Sequence, residues 1–477
     1  MTERPNIIPY ASLKPGPDSD AYPATLLGRI DRRYLSHPAV WKVLLVLLAV
    51  ALIVPSVQFV KRIQEVESSF YRQNKHKTAL GRWLADAEAL TKIDEGEQPY
   101  GFGHWFPLPP TVLISLIPLW KMGFAAAGVT WAALKVVGFF VAMGLLVAAL
   151  GRTGRAVPLG VLLMTAAFAL RPIISDLQHG NLNTFMLIWL ALAWVFYTRG
   201  RDGWSGLFMA LAIVTKITPA LALVYFAYKG AWRLVISACI GLVVLIVAMP
   251  SLYLGPSRNA EQLKAWYTLM VEPSAVHGFA TVTIENQSLG GTGLRLLSNA
   301  GLLPVEPPST DMAAQAGMEV EHMARPTTIA GKMLRPGLAV LTLCLLAWLC
   351  RTRSGDRKDV RLWIEFGIVL IAMLLMSERT WKHHGTILPF VFLTVWYVLT
   401  CRPWSDRFRA WFVAGLVAQF ALLVCSGEFL LGGRVADLLL DGGVFCWGLV
   451  LCFVQLAILL RALQQEGRPT ASAAARS

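Results

Sequence analysis

Leu44-Leu45-Val46-Leu47-Leu48-Ala49-Val50-Ala51-Leu52-Ile53 runs through ten positions without one polar side chain. The run lacks the in-and-out alternation that a strand of a transmembrane barrel would show. Its flanks extend it to about Trp41–Val60, long enough to cross a hydrocarbon core of about 30 Å as a helix. Lipid offers no partner to backbone N–H and C=O groups, so such a block must be helical. Similar blocks recur at about 128–150, 157–170, 184–198, 233–253, 333–350, 361–377, 385–401, 408–425 and 440–461. Of the 477 residues, 56% are hydrophobic and 15% charged, against roughly 45–50% and 25% in soluble domains. The fold class is therefore an all-α polytopic membrane protein with about 11–13 transmembrane helices.

Two apolar stretches depart from this pattern. Residues 106–120 are short and open with Pro107, Pro109 and Pro110. Residues 204–215 and 217–229 would each be only about 18–20 Å long as helices. They meet at Thr215-Lys216-Ile217-Thr218-Pro219, read as a break between an in-and-out pair. With the N-terminus inside, and 106–127 re-entrant or interfacial, every later basic loop falls on one side. Arg152 and Arg155, Arg199 and Arg201, Lys229 and Arg233, Arg351 to Lys358, Arg402 to Arg409, and Arg461 then all face the cytoplasm. The expected organisation is a cytoplasmic tail over 1–40, a membrane domain over 41–462 and a cytoplasmic tail over 463–477. Residues 61–105 and 254–332 are outer loops of that domain. The polar stretch before the first block reads as a tail ahead of a retained anchor, with no cleavable signal.

The formal net charge of +14 is a topology signal on this reading, not a nucleic-acid footprint. The seven cysteines, Cys239, Cys344, Cys350, Cys401, Cys425, Cys446 and Cys452, show no CxxC spacing and sit in or beside apolar blocks. They read as small hydrophobes.

Four groups of polar residues face the side opposite the basic loops. The first outer loop holds Glu65, Glu67, Asp86, Asp94, Glu95 and Glu97 with Tyr71, Trp83 and Tyr100. The second group is Ser175-Asp176-Leu177-Gln178-His179-Gly180-Asn181-Leu182-Asn183, whose amides and imidazole both donate and accept hydrogen bonds, as sugar hydroxyls and phosphate require. Lys216 stands alone at the helix break, where an ammonium needs water, a partner or a ligand. The fourth group joins Glu285-Asn286-Gln287-Ser288 to Glu378-Arg379-Thr380-Trp381-Lys382-His383-His384. Its cations suit an anion such as phosphate. Adjacent histidines share no helix face and no third ligand stands near, so no metal site is expected. Asn286-Gln287-Ser288 also matches the glycosylation sequon.

The order of short motifs in these groups resembles glycosyltransferase family 87, formerly domain of unknown function 2029, in the C-type superfamily of membrane glycosyltransferases. Gln98-Pro99-Tyr100 with Phe106-Pro107-Leu108-Pro109-Pro110 is similar to that family's Pro-Tyr and Tyr-Pro-Pro run. Gly180-Asn181-Leu182-Asn183 resembles its Gly-Gln-x-Asn loop, and Lys216-Ile217-Thr218-Pro219 its Lys-x-x-Pro break. Asn286-Gln287-Ser288-Leu289 and His383-His384 complete the series over roughly residues 40–460. The resemblance implies inverting transfer of a hexose, typically mannose, from a polyprenyl-phosphate donor to a lipid or glycan acceptor. The reaction would run on the outer face of the cell inner (cytoplasmic) membrane, without metal or cofactor. A carboxylate of the first outer loop would deprotonate the acceptor, while cations and amides hold the leaving phosphate. The family's Asp precedes a Tyr by four residues shortly before Pro-Tyr, and here no acid stands at the corresponding Ala79. Glu67 with Tyr71 keeps the spacing further upstream, which makes Glu67 the expected base, with Asp86 and Glu65 behind it. The expected substrate contacts are Tyr71, Tyr100, Gln178, His179, Asn181, Asn183, Lys216, Asn286, Gln287, Ser288, Arg379, Lys382, His383 and His384. A transporter or flippase of lipid-linked precursors and a membrane scaffold remain as alternatives. A transporter would favour inverted repeats with midplane binding residues, which this chain lacks. The transferase reading requires Glu67, Asn181, Lys216 and Arg379 to surround one cavity.

Overall fold

The computed structural model describes residues 38–64, 78–101, 104–309, 323–352 and 355–466. The apolar run from Leu44 to Ile53 lies in α1 (Pro38–Gln64). Its last turns meet α2 (Ala79–Thr91), where Ile63 faces Gly81. α2 buries Leu80, Trp83, Leu84, Ala87 and Leu90, the spacing of one helical face, and Thr78 caps it by accepting from the Gly81 N–H at 3.2 Å. A two-residue hairpin, Tyr100–Gly101 with His104–Trp105, leads into α3 (Pro110–Lys121). Pro110 stands at the first helical position, where a missing N–H loses nothing. The 12 residues of α3 reach about 18 Å, too short to cross. Leu113 and Leu116 of α3 pack in one cluster with Leu80 and Leu84 of α2.

α4 (Phe124–Gly151) starts where α1 ends: Gly128 faces Val60 and Ile63, while Phe139 shares a cluster with Leu52. α1 and α4 are thus antiparallel, and the chain between them stays at one end of the bundle. α5 (Leu159–His179) and α6 (Asn183–Thr198) follow as a hairpin. α5 continues to His179, well past the 170 expected, because its polar groups are paired inside the protein. Arg171 donates to Leu423 O at 2.7 Å and Ser426 Oγ at 2.8 Å, and Asp176 meets Lys135 at 2.7 Å.

The break at Lys216 separates α7 (Asp202–Thr215) from α8 (Ala220–Tyr228), before α9 (Trp232–Leu254). Gly206 lies against Leu234, Ser237 and Ala238, and Gly241 against Ala210. α7 and α9 therefore run parallel, which requires α8 to bring the chain back. The in-and-out pair expected from the sequence is present, with Lys216 at its apex.

Residues 254–332, expected as a polar loop, carry structure of their own. α10 (Pro256–Trp266) and α11 (Leu289–Asn299) flank a small antiparallel sheet in which Met323–Pro326 lies between Ala280–Thr281 and Val305–Glu306. α12 (Ile329–Leu349) and α13 (Val360–Met376) return to the bundle. α13 buries nearly every residue from Val360 to Leu375, so it is the central helix, apolar on all sides beyond Arg361 and Glu365 near its start. A tight turn, Lys382–Ile387, enters α14 (Leu388–Cys401), followed by α15 (Asp406–Cys425), α16 (Gly433–Asp441) and α17 (Val444–Glu466).

Among the described residues, eight helices are long and apolar enough to cross a membrane: α1, α4, α5, α9, α12, α14 with its entry turn, α15 and α17. α6 and α13, with 16 and 17 residues, are shorter and largely buried within the protein. With the α7–α8 pair they complete the polytopic bundle. The basic loops gather at one end. Arg357 pairs with Asp202, Tyr397 accepts from the Arg155 N–H at 2.9 Å, and Gln464 donates to Thr352 at 3.2 Å. At that end Lys229 and Glu365 form a buried pair at 2.6 Å.

Candidate active site

At the end opposite the basic loops lies a cavity of about 490 Å³. Four separate stretches supply most of its polar lining, and Ser274 adds a hydroxyl from a fifth. α2 gives Arg82 and Trp83, the α5–α6 turn gives Asn181 and Asn183, and the α7–α8 break gives Thr215, Lys216 and Thr218. The segment between α13 and α14 gives Ser377, Glu378, Arg379, Trp381, His383 and His384. Leu269, Met270, Val271, Met323 and Met376 form an apolar wall.

The α5–α6 turn depends on Gly180, which ends α5 at φ 65° with Phe59 packed where a Cβ would stand. Trp131 Nε1 donates to Gly180 O at 3.0 Å and Lys135 to Asp176 O at 2.7 Å, so α4 satisfies carbonyls at the end of α5. Beyond the turn, Asn181 Nδ2 stands 3.3 Å from His383 Nε2. Lys216 has an extended backbone and donates from Nζ to Asn183 Oδ1 at 2.9 Å. His383 packs edge-on against His384 at 4.7 Å, and Trp381 lies parallel to His384 at 6.4 Å.

Arg379 is held by its neighbours. Its Nε donates to Thr281 Oγ at 2.6 Å and pairs with Glu378 Oε2 at 3.0 Å. The other Glu378 oxygen accepts from the Thr281 hydroxyl at 2.9 Å and N–H at 3.2 Å. A clamp fixes both loops. Asn286 donates to Thr281 O and Glu378 O at 2.7 and 3.0 Å, and accepts from the Ser288 and Thr380 N–H groups at 3.1 and 3.0 Å. Gln287 donates to Ile284 O and Leu440 O and accepts from the Phe445 and Cys446 N–H groups. Ser288 caps α11.

Of the residues expected at substrate, Asn181, Asn183, Lys216, Arg379, His383 and His384 line this one cavity. Asn286, Gln287 and Ser288 do not; all three are fully buried, with their side-chain hydrogen bonds spent on the clamp. That burial also removes Asn286 from reach of a modifying enzyme. Gln178 donates to Gln58 at 2.9 Å on the exposed side and His179 packs tilted against His383 at 5.1 Å; neither lines the cavity. Lys382 is half-buried outside it. Tyr100 is buried and donates to Leu108 O at 2.7 Å. Burial and, secondarily, the nearby Asp86 charge push its phenol well above the usual tyrosine range, so it stays a neutral donor. Asp86 is buried on the inner face of α2 and does not line the cavity. Glu65, Glu67 and Tyr71 lie outside the described residues.

The sequence reading passed over Arg82, Trp83, Thr218, Glu378 and Trp381 as site residues. Arg82 and Trp83 carried a signal: the 80, 83, 84, 87, 90 apolar spacing marks a helix inside what composition alone showed as a polar connector. Glu378 and Trp381 stood in the fourth polar group without a role of their own, since only the fold turns the end of α13 toward Lys216.

Bundle and cavity together define a multi-pass membrane protein that gathers cations, amides and aromatic rings around one site. The model of glycosyltransferase family 87 matches residues 106–378, more than half of the chain, and the chain belongs to that family. It is a membrane glycosyltransferase. No curated protein and no solved structure matches the chain.

Proposed function

We propose that the chain transfers a hexose, mannose, from a polyprenyl-phosphate donor to a lipid or glycan acceptor, with inversion, at the outer face of the cell inner membrane. The observation that carries this reading is the convergence of Arg82, Lys216 and Arg379 with Asn181 and Asn183 on one cavity. Fixed cations and amides are what a departing phosphate needs as charge develops on it. The apolar wall of Leu269, Met270, Val271 and Met376 suits an isoprenoid chain, and Trp83 and Trp381 suit a sugar ring.

In the reaction, Glu67 takes the proton of the acceptor hydroxyl, whose oxygen attacks the anomeric carbon. The bond from that carbon to the phosphate oxygen breaks on the opposite face, and the electron pair leaves with the lipid phosphate beside Lys216 and Arg379. Glu67 lies between Gln64, the last residue of α1, and Thr78, the cap of α2, whose first turns carry Arg82 and Trp83 to the cavity. Glu378 is the one carboxylate among the described lining residues, but both its oxygens already accept from Arg379 and Thr281. It holds Arg379 in place.

The outer orientation follows from the basic loops at the other end of the bundle. The tails 1–40 and 463–477 are then cytoplasmic, and the segments 61–105 and 254–332 lie outside. In a background without native cysteines, Glu285→Cys is labelled by a membrane-impermeant maleimide on intact cells and Arg407→Cys only after lysis; the reverse pattern contradicts the orientation.

The direct test incubates purified protein with polyprenyl-phosphate-mannose and candidate acceptors, read by mass spectrometry. Glu67→Gln abolishes transfer with the protein still folded, and Lys216→Ala and Arg379→Ala raise the donor KM. Transfer from a nucleotide sugar but from no polyprenyl-phosphate hexose would overturn the donor assignment.

A further inference from the structure

We propose that Asp176, buried behind the cavity, is a positioning residue that sets the cavity-facing ammonium of Lys216 through the Asn183 amide. The inference rests on the reading of Lys216 as a phosphate-binding group.

The connection is a single chain of hydrogen bonds. Asn183 Nδ2 donates to Asp176 Oδ1 at 3.0 Å, and Asn183 Oδ1 accepts from Lys216 Nζ at 2.9 Å. The carboxylate therefore fixes which way the amide points. Flipped, the amide would set its oxygen against the carboxylate and its N–H groups against the ammonium, both repulsive. Among the described residues, this bond is the one hydrogen bond of the Lys216 ammonium, which leaves two N–H groups for a ligand.

Asp176 is itself fully held. Its Oδ2 accepts from the Thr184 hydroxyl at 2.6 Å, the Thr184 N–H at 3.2 Å and Lys135 Nζ at 2.7 Å. Asp176, Lys135 and Asn183 are each at most 1% exposed, so no solvent competes for these bonds. Lys135 has a second effect. An isolated carboxylate behind Lys216 would offset its positive field toward the cavity. Paired with Lys135, Asp176 is part of a neutral unit, and the amide passes on orientation without cancelling charge. A buried ion pair would be weak evidence for stability alone; here it has a defined acceptor direction to impose.

The test is a double-mutant cycle on the donor KM, with kcat, thermal midpoint and gel-filtration profile read in parallel. The variants are Asp176→Asn, Lys216→Met and their combination, with polyprenyl-phosphate-mannose as the probe. Asp176→Asn removes the charge at constant shape and raises the donor KM about tenfold or more. In the Lys216→Met background the same change leaves KM as it is, because the group it positions is gone. Multiplicative effects would assign Asp176 a purely structural role and overturn the inference. A Lys216→Met protein with the parental KM would instead overturn the phosphate role of Lys216 itself. Should Asp176→Asn not fold, Asn183→Leu interrupts the chain while Asp176 keeps its Lys135 and Thr184 partners, and it faces the same requirement of non-additivity.

Discussion

Replacing Lys229 by methionine tests how the basic end of the bundle is held. Glu365 is fully buried and accepts from Lys229 Nζ at 2.6 Å, the Thr352 N–H at 2.9 Å and the Tyr225 hydroxyl at 3.3 Å. Lys229 also donates to Cys350 O at 2.9 Å and Thr352 O at 2.8 Å, tying α8, the end of α12 and α13 together. Lys229→Met keeps the apolar stem and removes the charge. The carboxylate is left with two neutral donors, and breaking a buried pair from one side destabilises by about 3–5 kcal/mol. The carbonyls of Cys350 and Thr352 lose a donor at the same time, which places the loss toward the upper end of that range. Adding Glu365→Gln removes the stranded charge while its amide oxygen still accepts from Thr352, so Lys229→Met/Glu365→Gln recovers the part of the loss that the charge causes, and the Cys350 and Thr352 carbonyls stay without their donor. The assay is the thermal unfolding midpoint in detergent for the parent, both single variants and the double. Transfer measured well below the midpoint stays near parental, since the pair lies at the end opposite the cavity. A Lys229→Met protein that melts with the parent, or a double variant no better than the single, would show that the buried pair does not hold this end of the bundle.

Gly206→Leu forces a side chain into the Leu234 backbone and Ser237, where helix α7 meets α9; it lowers the midpoint by an amount equivalent to about 1–3 kcal/mol or more. Gly144→Ala, which opens onto empty space inside α4, raises the midpoint by an amount equivalent to about 0.5–1 kcal/mol. Tyr100→Phe loses the bond to Leu108 O and about 1 kcal/mol at neutral pH. Because the folded state raises the Tyr100 pKa, the parent loses stability as pH rises above the unfolded value of about 10, and the phenylalanine variant is spared that loss, as midpoints against pH will read. Asn286→Ala strands the Thr281 and Glu378 carbonyls and two N–H groups at once; both the midpoint and donor use fall, whereas direct substrate contact alone would leave the midpoint untouched.

What solvent composition dictates could be read from the residues alone. Uninterrupted apolar blocks admit only helices in lipid, and the one-sided distribution of Arg and Lys fixed which loops share an end. It even required the stretch after the first outer segment to stay uncrossed, and α3 does so by being too short. The Lys216 break was legible because a cation followed by Thr-Pro has no place inside a continuous span. The helical end of α5 was not legible, because Asp176 and Arg171 look like loop residues until Lys135, Leu423 and Ser426 arrive from far along the chain to satisfy them. The division of polar residues between wall and clamp was likewise tertiary. Asn183 and Asn286 are the same side chain in similar settings, yet one lines the cavity and the other spends its whole amide on backbone groups. Hydrogen-bond capacity is a property of the residue; which partners consume it is decided only when distant segments pack.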